Sequence, residues 1–276
     1  LCELTRSGGL DHGPRTAVSD DPRLAWLGVP EPTDALETGG KNWSMWSFRQ
    51  GGVAVAHMRI KARPSRVAAF MGTPAVHGPH THLAPLQVLW DVGDIAVLAD
   101  PGPRPSNGKD HGLAAPAAHN TLLLDGHSLG EALPAELSVA RVDGKKARIE
   151  GHHLGWRRFG VPLAHHRDIL LNQQRLLITD RLAPRGRRVG RHAVHLCWQL
   201  GPGWTLTPEG PGYIARNGDL TLIVQLPKGL AWTVREGDHG PGGWVSDGVQ
   251  VRPAPCLIGD GGVEGEAEFT TSFEIR

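Results

Sequence analysis

Cysteine is scarce in this chain: Cys2, Cys197 and Cys256 are its only three, far apart along 276 residues. An odd number without local spacing makes neither a disulfide framework nor a cysteine-type zinc site. Cys197 lies in the apolar run VHLCW and reads as core. Net charge is nearly absent as well, since 29 Lys+Arg against 28 Asp+Glu leave +1. That excludes a nucleic-acid or polyanion footprint from bulk charge, so an acidic ligand must be met by a local patch. No apolar run reaches the roughly 18 residues a spanning helix needs, and no membrane partner is expected. The start LCELTRSGGLDHG lacks the basic and apolar parts of a signal peptide. It opens on Leu rather than Met, which raises the expectation that an upstream part of a longer protein precedes it. Helical periodicity is almost missing.

What is present is turn chemistry between short apolar runs. The 37 Gly and 22 Pro punctuate those runs without forming a tract, which suits many strands joined by turns. VAVAHMRIKA reads as the first strand of a sheet, with Val53, Val55, His57 and Arg59 on one face and a more apolar face opposite. Hairpins are predicted around Val92-Gly93-Asp94, Asp143-Gly144, Asn172-Gln173 and Asn217-Gly218, the last being the strongest signal. At least ten strands emerge. An antiparallel two-sheet β-sandwich with little helix is the natural way to bury them. Residues 1–42, rich in Gly, Pro, Asp and Arg, read as an irregular segment, and 43–276 as one domain.

Chemistry concentrates between His77 and Gly126. His80 and His82 are two apart, which on a strand places them on one face; Asp100 closes the run IAVLA, and His119 precedes the run TLLL. Imidazole and carboxylate together suit zinc, and three protein ligands with one open position is its usual catalytic form. Solvated loop histidines are the bland alternative. Elsewhere, Trp156 beside Arg157 and Arg158 is the better candidate for an exposed sugar-stacking platform, whereas Trp90, Trp198 and Trp232 sit in strand-like runs and read as core. The pairs His152-His153 and His165-His166 point to opposite strand faces and do not form a second metal site. RGRRVGR at 185–191 reads as a solvated turn that could contact an anionic polymer.

These pieces resemble a known family. His-x-His, a strand ending Asp-Pro-Gly, then Ala-His-Asn-Thr with an apolar strand and Asp-Gly, follow the order seen in the C-terminal sandwich of the heparinase II/III-like polysaccharide lyases. HHRDILLNQQRLLITDRL, HAVHLCWQL, WVSDGVQVRPAPCLIG and the closing TTSFEI resemble later parts of the same domain, so the likeness spans most of 43–276. It implies that His80 is a catalytic-site histidine and that His82, Asp100 and His119 hold zinc. It further implies β-elimination in a uronate-containing acidic polysaccharide: the C5 proton leaves and the C4 oxygen is expelled, which needs a neutraliser, a base and an acid. A periplasmic or secreted location is implied too. His195 matches a histidine-containing strand of the family.

The chain departs from the pattern at Ala84, where an acidic residue is usual, and after Asp-Pro-Gly, where a tyrosine is often found. The family's helical toroid, which supplies a neutraliser and a tyrosine acid/base, is absent from these residues. Tyr213, the sole tyrosine, reads as a strand residue. Two other possibilities stay open: a non-catalytic carbohydrate-binding sandwich with a structural metal, and a cupin-like metal enzyme, which lacks its expected glutamate here.

Overall fold

The computed structural model describes residues 35–40, 43–49, 51–60, 63–70, 84–105, 111–127, 135–186 and 190–276. Six strands come first: β1 (Ala35–Gly40), β2 (Trp43–Phe48), β3 (Val53–Ile60), β4 (Arg63–Phe70), β5 (Gln87–Val92) and β6 (Ile95–Leu98), paired in that order into one antiparallel sheet. There follow β7 (Leu122–Leu124), β8 (Ala135–Asp143), β9 (Lys146–His153), β10 (Leu163–Leu171), β11 (Arg175–Pro184), β12 (Arg191–Gln199) and β13 (Thr205–Glu209). The last seven are β14 (Gly212–Asn217), β15 (Leu220–Gln225), β16 (Leu230–Arg235), β17 (Trp244–Ser246), β18 (Val251–Pro253), β19 (Cys256–Glu264) and β20 (Ala267–Ile275). They build an eight-stranded sheet, β13-β14-β15-β20-β11-β10-β9-β8, a four-stranded sheet, β16-β19-β12-β7, and a β17-β18 ribbon. The helical content among the described residues is two 3-10 turns, Pro116–Ala118 and Gly155–Phe159.

Alternation explains the burial. In β3 the side chains of Ala54, Ala56, Met58 and Ile60 are buried while Val53, Val55, His57 and Arg59 face outward, as the sequence pattern predicts. β3 is not the first strand, however, because β1 and β2 precede it, and β1 lies inside the segment expected to be irregular. Its pairing with WSMWSF of β2 draws that stretch into the sheet.

The predicted hairpins form, the first within the turn expected at Val92–Asp94 and those at Asp143 and Asn217 shifted by one residue. Val92 pairs with Ile95, Asp143 with Lys146, and Asn217 with Leu220, leaving Gly93-Asp94, Gly144-Lys145 and Gly218-Asp219 as the two-residue loops. In each, glycine takes the first loop position at φ near +60°, and the second residue does not follow it to positive φ. That is the type II′ arrangement, whose twist matches the flanking strands.

The six- and four-stranded sheets meet at the Leu98–Leu200 bridge, where Ala99 N–H also donates to Gln199 O at 2.9 Å. From the four-stranded sheet Trp198 reaches across to the eight-stranded one, donating to Thr271 Oγ1 at 3.1 Å and meeting Phe273 edge to face. One apolar cluster draws on all three sheets, and the result is the all-β sandwich that the patterning implies. The described strands form open sheets, not the closed barrel a cupin would need. Among the described residues no helix is long and apolar enough to cross a membrane.

Candidate functional site

Asn120 is the junction on which the site is built. Its Nδ2 donates to Val88 O and to Ala99 O, both at 2.9 Å, and its Oδ1 accepts from Gln199 N–H at 2.6 Å. A single buried amide therefore ties the residue after His119 to the residue before Asp100. The three partners belong to β5, the end of β6 and β12, so the junction exists only where the two smaller sheets meet. Thr121 adds a bond from Oγ1 to Pro85 O at 2.5 Å, fastening the turn that leads into β5.

His119 is fully buried, and its Nδ1–H donates to Ala115 O at 2.9 Å across the 3-10 turn. Such a bond fixes the ring and leaves the lone pair on Nε2, which is how a metal-ligating imidazole is usually oriented. Asp100 is held through both oxygens: Oδ2 accepts from Gln87 Nε2 at 2.6 Å and Oδ1 from Gly102 N–H at 2.7 Å. Gly102 is required there, since at φ +81° a Cβ would stand 2.0 Å from Ser246 O of the β17-β18 ribbon. An oriented imidazole and an oriented carboxylate drawn to one junction fit a zinc ion chemically. Among the described residues they do not form part of a group of three potential ligands. His80 and His82, the other two residues expected here, lie outside the described residues.

Beneath the junction sits a buried ionic network that sequence reasoning missed. Arg167 on β10 and Asp180 on β11 face each other in register, both with side chains at 0% exposure. Arg167 gives Nε to Asp180 Oδ1 at 2.7 Å and Nη2 to Asp180 Oδ2 at 2.9 Å. Its Nη1 then donates to Leu86 O at 2.7 Å and to Asn120 O at 2.6 Å, and the guanidinium lies 5.1 Å from the centre of the Trp198 ring. Among the described residues Leu86 is one of two non-glycine residues at positive φ, +58°, a conformation that costs on the order of 1–2 kcal/mol. Its carbonyl is where Arg167 grips it, at the turn entering β5.

The network continues through two histidines whose tautomers follow from their partners. Gly155 N–H donates to His153 Nδ1 at 3.3 Å, so His153 carries its proton on Nε2 and gives it to His165 Nδ1 at 3.2 Å. His165 in turn donates Nε2–H to Asp180 Oδ1 at 2.6 Å. Both rings are neutral: burial lowers His153 well below its ordinary value, and burial outweighs Asp180 in lowering His165. Burial alone would raise Asp180, but the charge of Arg167 and the bonds from His165 and Arg167 hold it at about 2. A signal was available in the sequence: in LAHHRDILL the inward positions are Leu163, His165, Arg167, Ile169 and Leu171, so two polar residues occupy core positions and demand partners.

The expected sugar platform at Trp156 is not there. Trp156 is 0% exposed; its Nε1 donates to His127 O at 3.1 Å and its ring stacks on His165 at 5.5 Å. A ring of that size finds more stabilisation in the core over a neutral imidazole than in solvent, and the 3-10 turn Gly155–Phe159 folds it inward. Arg157, next to it, is exposed. Trp90 and Trp198 are buried as predicted, and Trp232 is partly so. His152 and His166 face outward and His153 and His165 inward, as strand alternation requires. His195 is partly exposed, with Nδ1 on Asp260 Oδ1 at 2.8 Å and Nε2 on Ala117 O at 3.2 Å, beside the turn that carries His119. Tyr213 lies on β14, partly buried. Residues 187–189 of the arginine-rich turn lie outside the described residues.

Comparison with known proteins agrees with this architecture. The sequence matches the family described as heparinase II/III-like, C-terminal, over residues 40–269. No curated protein matches it. Among solved structures, a mutant of the heparan sulfate lyase HepC from Pedobacter heparinus is similar with TM-score 0.67 at 13% identity, covering 92% of this chain and 38% of that one. A structure of heparinase III is similar with TM-score 0.68 at 14% identity, covering 86% of this chain and 37% of that one. The chain thus spans well under half the length of these structures, and at such identity the likeness is one of fold.

Proposed function

The chain belongs to the heparinase II/III-like C-terminal family, and from that premise we propose that it is the sandwich half of a polysaccharide lyase acting on an acidic, uronate-containing polymer. His82, Asp100 and His119 hold a zinc ion in this reading, and His80 faces substrate. The observation that carries it is the Asn120 junction, which joins an imidazole already oriented through Nδ1 to a carboxylate already oriented through both oxygens. A zinc ion bound there would add positive charge beside an anionic sugar. The protein's own residues fix the loops: Arg167 grips Leu86 O and Asn120 O, and Gln87 and Gly102 aim Asp100. Elimination also needs a neutraliser and a tyrosine acid/base, which a preceding helical toroid of a longer parent would supply. Arg157 is an exposed cation available to meet the polymer in this reading. A periplasmic or secreted location accompanies this reading.

The complete burial of His119 favours a second reading, a carbohydrate-binding sandwich whose metal is structural. Elemental analysis and an elimination assay separate the two. One zinc per chain is expected, lost in Asp100→Ala and His119→Ala and kept in His80→Ala; no stoichiometric metal in the purified protein would sink the site. The ultraviolet absorbance of unsaturated uronate, followed over glycosaminoglycans and alginate, should appear with the parent protein. Sugar binding by the parent without elimination would establish the binding module instead.

A further inference from the structure

Two of the three cysteines, remote in sequence, meet in space. Cys197 on β12 and Cys256 on β19 are 59 residues apart, and their Sγ atoms stand 3.1 Å from each other. The strands are adjacent and antiparallel, with Cys197 opposite Ile258 and Cys256 opposite Gln199, so both thiols project from the same face. They form a small apolar cluster with Ile258, separate from the main core, and both are 0% exposed. The backbone of Gly242 closes over them; a Cβ there would lie 2.9 Å from Cys256 Sγ. A distance of 3.1 Å is closer than unbonded sulfurs normally approach, and within a small shift of the bonded separation of about 2.05 Å. A thiol pair left reduced gains little there, because S–H is a weak donor and S a weak acceptor.

We propose that Cys197 and Cys256 are oxidised to a disulfide that staples β12 to β19. The oxidant is a disulfide-bearing carrier, either a small-molecule disulfide or a dithiol oxidoreductase. One cysteine thiolate attacks the carrier's disulfide, forming a mixed disulfide and expelling a carrier thiolate. The second cysteine thiolate then attacks the protein sulfur of that mixed disulfide, and the S–S bond of the carrier has been exchanged for that of the protein. Two electrons pass to the carrier, whose two sulfurs take up the protons released by the cysteines. The exchange belongs to folding rather than to the finished molecule. Once folded, the neighbouring Cys256 thiol and burial push Cys197 well up, and the carrier cannot reach either sulfur. Such a bond forms in an oxidising compartment, which is information about where the domain folds that comes from its interior and not from its N-terminus.

The test is peptide mapping of the full chain, folded in the presence of a glutathione redox couple and alkylated at low pH. A single linked peptide pair containing Cys197 and Cys256 is expected, disappearing on reduction, with one alkylatable thiol per denatured chain. Three alkylatable thiols, or a bond from Cys2 to either partner, overturns the proposal. Because Cys197→Ala alters a buried site, the independent check is thermal unfolding of the unmodified chain. Reductant should lower its Tm by roughly 5–15 °C; an unchanged Tm after the bond's reduction is verified overturns the stapling role.

Discussion

At Asp180 a single carboxylate determines whether three other buried side chains remain satisfied. Arg167, His165 and, through it, His153 all depend on its charge. Replacing Arg167 with Met leaves that carboxylate buried without its main partner, and an urea titration should show a loss of about 3–5 kcal/mol. The pH dependence follows from the signs of the shifts. His153 is depressed, so below about 6.5 the unfolded chain takes up a proton that the folded chain refuses, and stability falls as pH drops from 7 toward 5. The fall of urea midpoints across that range should be shallower in His153→Gln, the remaining slope coming from His165 and other lowered histidines. Asp180 is also depressed, to about 2, so its contribution is present above its unfolded value and is lost as pH falls from about 4 through 2. That lower limb should shrink in Asp180→Asn, Asp125 keeping a share of it. Residue type and spacing singled out Asp100 and His119 as candidate ligands, and the structure shows each held in a fixed orientation. Arg167 was not, because a cation reads as surface until the alternation of its strand is counted through it, and its carbonyl partners Leu86 and Asn120 carry no side-chain signal in the sequence.

Among the elements, strands and turns were the most legible features, since apolar alternation and Gly-containing turns each have a local cause. The turn centres were off by one residue because Asn217 and Asp143 complete the strand ladder and leave glycine to begin the loop. This shift has a test. At Gly218, φ is +58° and a Cβ would meet nothing within 4 Å, so the cost of a side chain there is conformational, not steric. Gly218→Ala should cost about 1–2 kcal/mol by urea denaturation, whereas Asn217→Thr, at a ladder position, should cost less. Trp156 went the other way. Its neighbours in GWRRFG are arginines and glycines, which read as a surface turn, and nothing local reveals that a buried imidazole waits 5.5 Å from its ring. Strand β1 was missed because ALETGG has little apolar content of its own and depends on β2 for its pairing.

For the whole molecule, the fold was legible and the completeness of the active site was the larger question. The matched structures are more than twice as long as this chain, and the reaction proposed needs a neutraliser and an acid/base that the described residues do not bring together. Under the proposed function, the 276-residue chain alone should therefore eliminate at least roughly 100-fold more slowly than a chain that joins it to a toroid, the usual weight of a missing acid or base. Unsaturated-uronate absorbance at matched concentrations measures this directly, and equal rates would locate the chemistry wholly within the sandwich. Finally, the grip of Arg167 on Leu86 and Asn120 spans 81 and 47 residues, and that of Asn120 on Gln199 spans 79. Bonds of such sequence separation reward the chain only after the intervening loops have closed. The Asn120 junction should consequently form late in folding, and copies still unfolded there hold neither Asp100 nor His119 in its fixed orientation. Under the proposed zinc reading, metal capture should then lag behind the recovery of strand signal when the denatured protein is refolded, so that uptake would report finished molecules alone.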